Sequence, residues 1–369
     1  MKAVIIIPGY KGSFLKEKES GKRIWLSHKE LFFGQSDLRY NSGGFFEADG
    51  LFDRFVVIPR IYEVKIYHNL INTLKKNGVV VIPFAYDWRS DLFSQLVPLK
   101  QLVISLKEKG FSQVNVIGHS MGGLILFYLL RYGDSPIPCA TETWSGASLI
   151  DKAVFCGTPF KGTLKAFRDI HLGSKVGFNK KLLNPRVTSS FPVAYELLPE
   201  SHSKHVFLVD KDHLVNPVDL YSAYNWIKYG MGPFRYASVE QVKHFLSFIE
   251  DKLKAGQAFF ERINQTPETK MPSSCKILNL VGNGIPTYDK YFWNVQRSRI
   301  ILKKIEYEQF GLIPGDSFSQ GDGTVTASSA DFPINLGSPS VEQVYVKAYH
   351  EGYFRENKVP SLILKHFDQ

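Results

Sequence analysis

Short β-branched runs closed by glycine, proline or polar turns recur along the chain: AVIII at 3–7, VVVIP at 79–83, VNVI at 114–117, KAVFC at 152–156, KILNLV at 276–281 and VEQVYV at 341–346. Apolar runs of this length suit strands buried on both faces, as in a parallel sheet. Helical patterns fall between several of them. YHNLINTLKKNG (67–78) stops at Gly78, and the stretch 90–110 stops at Gly110, glycine being a usual helix terminator. Strand and helix in alternation predict an α/β fold: a mostly parallel central sheet with helices on both faces.

Two segments interrupt the alternation. Residues 11–60 mix charges, glycines and aromatics. Residues 159–272 contain an amphipathic helix over 239–263, with Val242, Phe245, Leu246, Ile249 and Leu253 on one stripe. The expected division is a core of 1–158 and 273–369 carrying the insertion 11–60, with 159–272 as a cap over the carboxyl edge of the sheet. TPETKMPSS (266–274) would return the chain to the core. No apolar run approaches the roughly eighteen residues of a membrane-crossing helix. The N-terminal run before Pro8 is too short for a signal peptide and is read as a strand.

Hydrophobic residues at 44% and charged residues at 22% supply a large core and argue against disorder. Aromatics reach 14%, which fits either a well-filled interior or an apolar substrate surface. The formal charge of +10 favours an anionic partner. No basic run with interleaved aromatics suggests a nucleic-acid reader, so an anionic membrane surface is the partner expected. Cys139, Cys156 and Cys275 are too few and too scattered for a disulfide framework or metal site. Reduced thiols in a cytoplasmic protein, peripheral at a membrane, fit this pattern, and neither metal nor cofactor is expected.

The chemistry centres on VNVIGHSMGGLILFYLL (114–130). Gly118-His119-Ser120-Met121-Gly122 matches G-x-S-x-G, with a strand entering and a helix leaving, the context in which a serine is thrust out on a strained turn. Flanking glycines let neighbouring backbone approach. Ser120 is therefore the candidate nucleophile; the bland alternative is a helix N-cap, which would not call for glycine on both sides. A serine hydroxyl needs a base, and the base a carboxylate to orient it. In an α/β-hydrolase the order is serine, acid, histidine. Asp322, between Gly321 and Gly323, is the best acid, ahead of Asp289 and Asp316. His350, after the last strand, is the best base; His366 suits a helix surface, and His119 is too close to Ser120 along the turn. The two oxyanion donors would be the N–H of Met121 and, from the loop after the first strand, that of Tyr10.

The chain resembles the lecithin:cholesterol acyltransferase family of α/β-hydrolases, which takes in lysosomal phospholipase A and phospholipid:diacylglycerol acyltransferases. Its stations are VIIIPGYKGS (4–13), IWLSHKELFFG (24–34), PFAYDWR (83–89), VIGHSMGG (116–123), FCGTPFKGTLKAF (155–167), SFPVAYELLP (190–199) and GDGTV (321–325). GHSMGG alone is common among hydrolases; the ordered set is specific. The resemblance implies Ser120, Asp322 and His350 as triad, Tyr10 and Met121 at the oxyanion positions, and Trp88 as an aromatic near the acyl pocket. It also implies that 11–60 contacts membrane and 159–272 caps the site. Secreted members carry a disulfide in the first insertion, whereas no cysteine precedes Cys139 here. The expected activity is cleavage of lipid acyl esters through an acyl-enzyme, with water or an alcohol as acceptor. A soluble carboxylesterase for short esters and a catalytically silent lipid-binding protein are the rivals.

Overall fold

A computed structural model of the chain describes residues 1–34, 36–40, 45–58, 62–137, 139–177, 179–212, 215–333 and 341–368. Six strands, β1 (Lys2–Ile7), β2 (Val80–Pro83), β3 (Gln113–His119), β4 (Lys152–Cys156), β5 (Lys276–Gly282) and β6 (Val341–Val346), form one sheet in the order β6-β5-β4-β3-β1-β2. Every pairing in it is parallel. Residues 3–7, 114–119 and 152–156 are buried, which is why these strands are continuously apolar rather than alternating. Helices α1 (His68–Lys76), α2 (Leu96–Glu108), α3 (Met121–Tyr132) and α7 (Lys358–Asp368) supply the crossovers and flanking layers. This is the α/β-hydrolase fold.

Helix boundaries follow local chemistry. The pattern over 90–110 becomes a helix only from Leu96, after a 3-10 turn at Phe93–Gln95. Pro98 lies in its first turn, where the missing N–H has no helical partner to lose. The long helix α6 (Val239–Asn264) opens on a capping box: the Ser238 hydroxyl accepts from the Gln241 N–H and the Gln241 side chain accepts from the Ser238 N–H.

The segments outside the sheet build two accessory layers. Between β1 and β2 lie a three-stranded antiparallel sheet (Ser13–Glu17, Arg23–Trp25, Phe46–Leu51), a one-turn helix at His28–Phe32 and the hairpin Arg54–Ile58/Tyr62–Lys65. Between β4 and β5 lie helices α4 (Leu164–Leu172), α5 (Pro192–Glu196) and α6. A further four-stranded sheet joins Val206–Val209 in parallel to Tyr291–Asn294. The second layer thus draws on residues beyond 272, because a strand on the carboxyl side of β5 completes the hydrogen bonding of one inserted before it.

Candidate active site

Ser120 lies between the end of β3 and the start of α3 with φ 54° and ψ −125°, a conformation costly for a residue with a Cβ. Its N–H is anchored on the Cys156 carbonyl at 2.8 Å. A Cβ at Gly118 would sit 2.5 Å from the Gly123 Cα, and one at Gly9 would sit 2.8 Å from the Ser120 Cβ. Only hydrogen fits where the strand, the helix and the loop after β1 close around the serine. Its hydroxyl makes no capping bond to α3; Oγ instead lies 2.8 Å from His350 Nε2.

Asp322 follows the strand Phe318–Gly321 in a tight turn that Gly323 closes at φ +90°. One carboxylate oxygen, Oδ1, accepts the N–H groups of Thr324 (2.9 Å) and Val325 (2.7 Å). This aims Oδ2 at His350 Nδ1, 2.7 Å away. His350 begins a short 3-10 turn after β6, and its own N–H donates to the Asp322 carbonyl at 2.9 Å. With the Nδ1 proton directed at a carboxylate, the Nε2 lone pair faces the serine hydroxyl, the tautomer a general base requires. Burial disfavours the imidazolium, but the charge of Asp322 and its hydrogen bond outweigh that, and the His350 pKa is raised above its ordinary value.

The three residues named from the sequence, 230 positions apart at their extremes, therefore meet. The other candidates fall elsewhere. Asp289 pairs with His205, Asp316 is exposed in a 3-10 turn, and His366 is buried on α7 rather than on a helix surface. Among the described residues, no protein group takes up the N–H of Tyr10 or of Met121. The Gly9 carbonyl accepts from Gly12 N–H at 2.9 Å, which turns the opposite side of the Gly9–Tyr10 peptide, bearing the Tyr10 N–H, away from that bond. Trp88 does not border the site. Fully buried, it donates from Nε1 to the Ser13 carbonyl and packs edge-on behind Tyr10 and Trp25, which do face the cavity.

Ser120 opens into a cavity of about 660 Å³. Its apolar lining comes from Trp25, Leu26, Leu31, Phe52 and Phe55 of the first accessory layer and from Val176, Ala194 and Leu197 of the second. Charged side chains line it as well. Asp169, buried on α4, holds Lys165 Nζ at 2.6 Å and 2.8 Å and Lys11 Nζ at 3.6 Å. Burial lowers the Lys11 pKa to about 8 against the opposing pull of Asp169. Residue patterns did not single out Asp169; the signal available was its spacing of four from Lys165, a common surface pairing that says nothing about a cavity.

The profile described as Lecithin:cholesterol acyltransferase matches residues 36–351. The chain belongs to the lecithin:cholesterol acyltransferase family. It is 26% identical over 292 residues to an uncharacterized protein of Saccharomyces cerevisiae, a match taking in 76% of this chain and 41% of that one. To the phosphatidylcholine-sterol acyltransferase of Gallus gallus it is 24% identical over 294 residues, 76% of this chain and 60% of the other. The chain thus spans less than two thirds of the length of these relatives. Among solved structures, that of the Tle4–Tli4 complex is similar in fold, with a TM-score of 0.64 at 13% identity over 99% of this chain and 97% of the other. In this member of the lecithin:cholesterol acyltransferase family, the elbow serine follows β3 and the base loop follows β6 at the carboxyl ends of central-sheet strands. The acid turn instead follows Phe318–Gly321, which pairs antiparallel with Ile285–Tyr288 just beyond β5. Both accessory layers contribute to the cavity they face.

Proposed function

We propose that the protein is a serine-dependent lipid ester hydrolase or acyltransferase that works through an acyl-enzyme. The observation that carries this is the unbroken hydrogen-bond chain Asp322–His350–Ser120 opening into a cavity lined in large part by aromatic and aliphatic side chains. His350 Nε2 takes the Ser120 proton as Oγ attacks the ester carbonyl. The negative oxygen so formed is met by the Tyr10 and Met121 N–H groups, aided by the positive end of α3. His350 then returns the proton to the departing alkoxide, leaving an acyl-serine, which water or an alcohol cleaves by the same steps reversed. The aromatic and aliphatic lining supports a long acyl chain as the group transferred, since such a chain gains about 0.8 kcal/mol per buried methylene.

Residues 159–272, with the strand at 291–294 that completes their sheet, serve in this reading as the cap. The first accessory layer serves as the membrane-facing surface. Phe32 lines the cavity while Phe33 is 81% exposed beside it. Val56, also exposed, lies on the hairpin that His28 ties to the same short helix through its Nε2 and the Val56 carbonyl. Exposed apolar side chains next to residues that line a lipid-sized cavity, on a chain of net charge +10, support adsorption to an anionic bilayer. The test is product analysis on mixed phospholipid vesicles. Wild-type protein should release or transfer fatty acid and take up a fluorophosphonate at Ser120, and Ser120→Ala should do neither while remaining folded. Full turnover by Ser120→Ala would refute the mechanism.

A further inference from the structure

Two largely buried polar residues at the edge of the cavity, which the acyl-enzyme mechanism leaves unused, form a continuous link beside the site. Gly9 N–H donates to the Tyr67 hydroxyl at 3.1 Å, and that hydroxyl lies 2.8 Å from His119 Nδ1. His119 Nε2 lies 3.1 Å from the backbone carbonyl of His350. The protons can be placed without choice. A carbonyl only accepts, so His119 Nε2 carries hydrogen; a neutral ring then leaves Nδ1 as acceptor, and Tyr67 must donate to it while accepting from Gly9. Burial, reinforced by the nearby His350 charge, pushes the His119 pKa down to about 3, which keeps the ring in the neutral form this direction needs. Tyr67 and His119 are themselves 1% and 4% exposed, so each bond replaces one that water cannot supply.

The two ends of the link lie where the chemistry is most sensitive to placement. At one end Gly9 is held from both sides: the Tyr67 hydroxyl accepts the N–H of the Pro8–Gly9 peptide, and Gly12 N–H donates to the carbonyl of the Gly9–Tyr10 peptide, the one that carries the Tyr10 N–H. The two bonds together fix the backbone torsions of Gly9 between those planes. At the other, the His350 backbone is held by His119 at its carbonyl and by Asp322 at its N–H. We infer that Tyr67 and His119 are positioning residues that tie Gly9, from whose carbonyl side the oxyanion-binding Gly9–Tyr10 peptide starts, to the backbone of the proton-carrying His350. The link keeps donor and base in register as negative charge develops. It also assigns a task to the second position of G-x-S-x-G, occupied here by a histidine that is not the base.

This rests on the reading of Ser120 as nucleophile, and the experiment separates the two. On the full chain, kcat and KM for a vesicle-presented ester are measured together with the affinity for an alkyl trifluoromethyl ketone, whose serine adduct places an oxyanion between the two N–H groups. Tyr67→Phe keeps the ring and removes the bridging hydroxyl. It should lower kcat about 10- to 100-fold, less than the roughly 10²–10³ for deleting an oxyanion donor outright. The ketone should weaken by a similar factor, with KM and thermal midpoint little changed. A variant within twofold of wild type in both kcat and ketone affinity would overturn the inference while leaving the Ser120 mechanism standing. If Tyr67→Phe does not fold, the pair His119→Gln and His119→Leu carries the test. Glutamine keeps an N–H near the Nε2 position and should retain at least tenfold more activity than leucine; equal activity in the two would overturn the inference. Loss of the mechanism itself is read separately, as turnover that survives Ser120→Ala.

Discussion

At the scale of single residues, the site depends on one missing side chain and one shifted proton. Gly9 passes so close to the serine that a Cβ would meet that of Ser120 at 2.8 Å. Gly9→Ala should therefore cut kcat/KM by about two orders of magnitude, comparable to loss of an oxyanion donor. Steady-state kinetics beside a melting curve would check that folding survives. The pH dependence has a definite sign. His350 must be neutral to accept the Ser120 proton, and its pKa lies above the ordinary 6.5, burial being outweighed by Asp322. Activity should fall as pH drops through a midpoint above 6.5, read from the acidic limb of kcat/KM, and a midpoint below 6 would contradict the His350–Asp322 pairing. Ser120, Asp322 and His350 were legible in the sequence because Ser120 and His350 each follow a recognisable strand, and Ser120 and Asp322 stand among glycines. Tyr67 and Asp169 were not. Each is a single side chain on an ordinary helical stretch, and what makes it matter is a partner 52 or 158 positions away.

Elements were read more reliably than the ties between them. All six sheet strands fall where the apolar runs predict, and α6 runs from Val239 to Asn264 against an expected 239–263. The register of α3 against α6 has no such signature. It is held by a buried ion pair: Arg131, at the end of α3, meets Glu142 at 2.6 Å and donates to the Ile263 carbonyl. Glu142 in turn accepts from the N–H of Thr269 on the returning chain. Glu142→Gln leaves a buried guanidinium without its counter-charge and should destabilise the fold by about 3–5 kcal/mol. Denaturant unfolding would measure this, and a loss under 1 kcal/mol would show that the pair does not bind the two layers together.

For the whole molecule, the cavity is a product of assembly. Its apolar lining joins residues from before β2 with residues from between β4 and β5, and neither set is a pocket alone. The exposed Phe33, next to the cavity-lining Phe32, gives the membrane reading a measurable consequence. Phe33→Ser should weaken binding to anionic vesicles about tenfold or more, from the 1.5–3 kcal/mol that burying a phenylalanine contributes. Activity on a monomeric short-chain ester should be unaffected, and unchanged vesicle binding would count against this surface. The sequence alone determined the parallel sheet, the strained turn at Ser120 and the order serine, acid, base, since periodicity and glycine placement act over a few residues and are written locally. Only the tertiary structure decided that Trp88 stands behind the cavity rather than in it. The same holds for the strand at 206–209, which finds its partner at 291–294, and for His119, which serves as a strut. Those outcomes depend on which distant groups share one enclosed space, and spacing along the chain does not encode distance across it.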